Sequence, residues 1–154
     1  MMEIKSTLNV YNESELISFP GVVQGQVQKQ LVGDAAHPSE RITVRTAEFP
    51  AGLHERLHWH LIEAFYYVIS GKAVMKDIEG KTYDIGPGSV VYAPPGIAAS
   101  HSWDIQEPLK LIAVRGTTDP EKSIQFDVDP VTKESSASIE HVTRKQAMTF
   151  KSLY

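Results

Sequence analysis

The sequence contains no cysteine. That excludes a disulfide framework, a thiolate metal site and a thiol nucleophile. Any metal must be held by histidine, carboxylate and water. No apolar run approaches the length that crosses a bilayer, and the start, Met1-Met2-Glu3-Ile4-Lys5-Ser6, lacks the apolar segment of a secretory signal. Basic residues are not in surplus: a net charge of −4 offers no broad cationic surface to nucleic acid. The expectation is a cytoplasmic protein with neither a membrane nor a nucleic-acid partner. Internal repeats and low-complexity segments are also absent. A hydrophobic content of 42% over 154 residues suits one domain, 1–154, with a core of its own.

What is present is mostly β-type. Residues 1–40 are polar and read as an irregular N-terminal arm, with a helical turn over 13–19 and a loose edge strand over 24–32. From residue 41 short runs of β-branched and aromatic residues alternate with Gly/Pro breaks. Strands are expected at 41–49, 65–69, 89–93 and 109–115, and a hairpin over 71–85 turns at Glu79-Gly80. No strong helix precedes residue 116, so the fold class is all-β, a sandwich or small barrel with its core at about 41–116. In the tail, 117–154, residues 123–129 suggest another strand and 138–151 a C-terminal helix.

Three of the six histidines fall between residues 54 and 60. His58 and His60 are spaced i, i+2. On a strand that spacing puts both imidazoles on one face, where they can share a metal ion. On a helix they would stand about 200° apart and could not chelate.

Further along, Gly88-x5-Pro94-x-Gly96-x4-His101 follows Gly52-x5-His58-x-His60, which itself runs on to Gly71. Together these stretches resemble the two motifs of the cupin superfamily, G-x5-H-x-H-x3,4-E-x6-G and G-x5-P-x-G-x2-H-x3-N. The resemblance implies a jelly-roll β-barrel with a metal inside, held by His58, His60 and His101. It departs from the pattern in three places. The glutamate ligand should fall at position 64, which is Ala64; Glu63 lies one residue early and would need a bulge or turn to act as fourth ligand or base. Two extra residues separate Gly96 from His101, and Ile105 replaces the final Asn.

A three-His cupin without the glutamate resembles non-haem iron dioxygenases such as the acetylacetone-cleaving type. That implies Fe(II), with Mn, Ni or Zn as the other candidate ions, and a small-molecule chelating substrate. The other readings are a non-redox isomerase, lyase or decarboxylase, and a non-catalytic small-molecule-binding cupin. Strand parity puts His54 and Arg56 on the side of His58, where they would line a substrate pocket unless they are surface residues. Tyr66 has the parity of Ala64 and Trp103 is i+2 from His101; both are pocket-wall candidates, though packing would explain them equally. Trp59, between two inward histidines, should face outward. Resemblance also implies a homodimer, with the strand over 24–32 as one contributor to its interface.

Overall fold

The computed structural model describes residues 2–138. Ten strands are present: β1 (Ser18–Pro20), β2 (Val27–Val32), β3 (Thr43–Phe49), β4 (His54–His60), β5 (Ala64–Asp77), β6 (Thr82–Ile85), β7 (Val90–Ala93), β8 (His101–Arg115), β9 (Gln125–Val128) and β10 (Ser135–Ala137). Helical structure among the described residues is confined to 3-10 turns at Glu13–Glu15, Ile97–Ala99 and Pro120–Ser123. The fold is all-β, an antiparallel jelly roll. The helix expected over 138–151, with His141 in it, lies outside the described residues apart from Ser138.

β8 organises the sheet. Along one edge it pairs with β4 at its start and β3 at its end; along the other it pairs with β5 over nearly its whole length. From β3 the order continues outward to β2 and β1, and from β4 to β9 and β10, while β6 and β7 attach to β5. The sheet therefore reaches beyond residues 41–116 on both sides. β2 is not a full edge strand, as 24–32 was expected to be: β3 takes one edge, and β1 pairs with its Val27, Gln28 and Lys29 on the other.

The strand expected over 109–115 begins earlier, at His101, and runs for 15 residues. Pro108 does not end it, because it sits opposite the irregular part of β5, where the register shifts repeatedly between Val68 and Ala73. Gly71 makes that irregularity possible. Its φ is +93°, and a Cβ there would lie 2.1 Å from the Pro108 carbonyl oxygen. Here β5 changes parity: Ala64, Tyr66 and Val68 are buried before the break, Ala73 and Met75 after it.

The core lies between the inner faces of these strands. Phe49, Tyr66, Val68, Met75, Trp103 and Leu109 are among its buried members. Full burial of a side chain such as Leu109 is worth about 1.5–3 kcal/mol, and that packing is the rigid frame behind the histidines.

Candidate metal centre

β4 starts in register with β8, His54 opposite Asp104 and Glu55 opposite Trp103, but His58 pairs with His101. Arg56 and Leu57 on β4 thus lie against the single residue Ser102 on β8, which is a β-bulge. The burial pattern records it: Leu57 and His58 are both buried, consecutively. The bulge shifts parity, so Glu55, rather than His54 or Arg56, shares the inner face with His58 and His60.

The same bulge turns the Arg56 carbonyl toward the His58 ring, whose Nδ1 donates to it at 2.6 Å. Nε2 is left as the lone-pair nitrogen. His101 is fixed in the same way. The lengthened segment between Gly96 and His101 forms the 3-10 turn Ile97–Ala99, and the Ala99 carbonyl accepts from His101 Nδ1 at 2.9 Å. Gly96 N donates to the His60 carbonyl at 3.1 Å and ties that turn to β4. At His60, Nε2 accepts from Arg115 Nη2 across 3.4 Å. His58 and His101 therefore hold the tautomer with the lone pair on Nε2, each oriented through Nδ1 by a backbone carbonyl as metal ligands commonly are, while the His60 Nε2 lone pair is engaged by Arg115.

The three side chains are buried, and their ligand atoms lie within 4.8 Å of one another. Ring centroids are 4.5 Å apart for His58 and His101 and 5.1 Å for His58 and His60. His101 Nε2 is buried with no hydrogen-bond partner. Burial, with the neighbouring His58 second, depresses the His101 pKa to about 3, which keeps that imidazole neutral. A buried, neutral and unpartnered lone pair facing two others suits a divalent cation.

Sequence reasoning missed Glu55. Its Oε1 is 3.5 Å from His58 Nε2, and the side chain is 14% exposed. Burial pushes its carboxyl pKa up, opposed by His101 and Arg115. Parity counted through the bulge would have found it, but no Gly or Pro marks the bulge.

The other expected residues are spread differently. Glu63 is not brought to the histidines: it is exposed, and its Oε2 accepts from Tyr92 Oη at 2.8 Å. A bulge does return a glutamate to the cluster, but it lies upstream and the residue is Glu55. His54 and Arg56 are displaced outward by that bulge. His54 Nδ1 is 2.6 Å from Asp104 Oδ1, and Arg56 Nη2 is 3.2 Å from Asp127 Oδ2; both line an outer cleft with Lys76 and Lys133. Tyr66 and Trp103 are buried beside the site. The Tyr66 ring is 5.9 Å from His101 and 5.6 Å from Trp103, both edge-on. Burial raises the Tyr66 hydroxyl pKa, so it stays protonated. Trp59 faces outward, stacked on Phe126 of β9 at 4.5 Å.

Residues 45–115 match the sequence model of the cupin domain. Solved structures agree on the fold. The polyketide cyclase RemF from Streptomyces resistomycificus superposes with a TM-score of 0.62 at 16% identity, covering 71% of this chain and 80% of that one. KdgF from Halomonas sp. gives 0.62 at 18%, covering 73% and 98%. Ectoine synthase from P. lautus gives 0.61 at 16%, covering 71% and 78%. A comparison with curated protein sequences finds no match. Over residues 45–115 the chain matches the cupin domain, and the jelly-roll topology with an inward His trio suits a cupin-type metal site. No helix among the described residues is long and apolar enough to cross a membrane.

Proposed function

We propose that this cupin is a metal-dependent enzyme acting on a small organic substrate by non-redox proton-transfer chemistry of the isomerase, lyase or decarboxylase kind. One observation carries the reading: a largely enclosed carboxylate, Glu55, shares the inner face with the three histidines and lies 3.5 Å from His58 Nε2. His58, His60 and His101 would hold the ion, and a bound Zn, Mn, Ni or Fe(II) supplies Lewis acidity toward a substrate carbonyl or carboxylate oxygen. Glu55 takes or returns a proton at a carboxylate oxygen. Tyr66 and Trp103 form an apolar wall that limits water. Cyclase and synthase are the activities named for two of the structural relatives.

The second reading is an Fe(II) dioxygenase. It is favoured by the all-nitrogen cluster: among the described residues no carboxylate joins the three imidazoles as a metal-holding group. Metal analysis of protein purified without added metal, followed by substrate-panel assays with and without O2, tests both. The first reading expects turnover that is unchanged under nitrogen. O2 uptake matching substrate loss would replace it with the second.

A homodimer and a cytoplasmic setting belong to the same proposal. Tyr67, Ile69, Val90 and Tyr92 expose apolar surface on the outer face of β5 and β7, which supports self-association. Light scattering after size exclusion should give twice the chain mass.

A further inference from the structure

The histidine cluster stands between two cavities of very different size. His101 is in the wall of an apolar cleft of about 480 Å³ shared with Met75, Ile85, Val91 and Ala93. His58 is in the wall of an inner cavity of only about 40 Å³. The inner cavity has room for a few water-sized groups, enough for a ligand's head group and too small for its body.

Half of the inner cavity's lining is apolar, and its charged groups are mainly cationic. Arg45 and Arg115 both border it, against the single carboxylate of Glu55. Arg45 Nη1 is held by Gln28 Oε1 at 3.2 Å. Arg115 is anchored at its two ends: Nη1 donates to the Ser123 carbonyl at 3.2 Å and Nη2 to His60 Nε2 at 3.4 Å. Its Nε is buried and has no partner. A buried guanidinium N–H without an acceptor is rare and unfavourable, and the planar fork of donors matches a carboxylate.

We infer that the inner cavity is a carboxylate subsite with Arg115 as its recognition residue, so that the substrate of this site is a small organic acid. The inference deepens the proposed metal-dependent function and rests on it for the meaning of "substrate". Arg115 would place the acid group beside the histidines while the rest of the molecule lies toward the wide cleft at His101. The contact of Arg115 with His60 couples anion recognition to the metal-holding residues.

Calorimetry on the full chain tests this with pyruvate, an acid with an adjacent carbonyl, and methyl pyruvate, its neutral ester. Both are titrated into metal-free and zinc-loaded protein, and zinc alone is titrated separately. Expected is a preference for the acid of about 30-fold or more, as for a buried charge-paired contact. Arg115→Gln should abolish the preference, and Arg115→Lys should restore part of it. Equal affinity for acid and ester, or no binding of either, overturns the inference. Because that comparison uses the unaltered protein, it stands even if Arg115→Gln misfolds. Zinc binding without acid preference defeats the subsite and leaves the metal reading intact. Acid preference without zinc binding does the reverse.

Discussion

Glu55 and His58 are three residues apart in sequence and sit on the same face of β4, with Oε1 3.5 Å from Nε2. A regular strand would put them on opposite faces. The β-bulge between them is therefore part of the site's construction, and it also supplies the Arg56 carbonyl that orients His58.

If Glu55 moves the proton, Glu55→Gln should lower kcat by about 10²–10⁴-fold, the usual worth of a positioned acid or base. Zinc affinity should change far less, since the three imidazoles remain. Calorimetry with zinc beside steady-state kinetics separates the two effects. Full turnover in the variant would remove Glu55 from the chemistry.

Losing one imidazole should act on the metal first. His101→Ala should weaken zinc binding by more than the roughly 10–100-fold seen when only an outer partner of a ligand is lost. Glu63→Ala, at the exposed Tyr92 contact, should leave it unchanged. Competition with a chromophoric chelator measures both.

Gly71→Ala should be strongly destabilising. The residue combines φ +93° with a Cβ position 2.1 Å from the Pro108 carbonyl oxygen. Backbone strain of this kind costs on the order of 1–3 kcal/mol before the steric overlap is added. Gly80→Ala shares the positive φ but meets nothing within 4 Å, so it should cost less. Urea midpoints of the two variants give the comparison.

The β5–β6 hairpin should loosen in acid. Asp77 accepts from the backbone N–H groups of Glu79 and Lys81 and from Tyr83 Oη. Tyr83, the first cause, and these N–H bonds lower its pKa below the ordinary 3.8. A lowered carboxylate pKa means stabilisation that is complete above the ordinary value and lost as pH falls through the lowered one. Amide resonances of Glu79 and Lys81 should shift together over that acid range, and Asp77→Asn should abolish the titration.

Much of the site was legible in the sequence for a simple reason: strand periodicity of two makes His58 and His60 co-facial, and the bulge lies before them. The same rule applied upstream misplaced His54 and Arg56, because one inserted residue reverses parity. Nothing in His54-Glu55-Arg56-Leu57 announces that insertion; it is visible only through the pairing partner on β8. The 3-10 turn that aims His101 lies in the lengthened segment that looked like a departure from the motif. β2 and β9, on either side of the expected core, were readable as strands, but their pairing with β3 and β4 depends on contacts distant in sequence.

Trp59 and Trp103 are the chain's two tryptophans. Trp59 lies between two of the histidines on the outer face, with Nε1 bonded to Ser135 Oγ; Trp103 lies inside, its ring 6.4 Å from His101. The protein thus carries a built-in optical gauge. Its indole emission has one source on the outer face of the strand that carries His58 and His60 and one beside His101, so occupancy of the centre can be followed by fluorescence without any label.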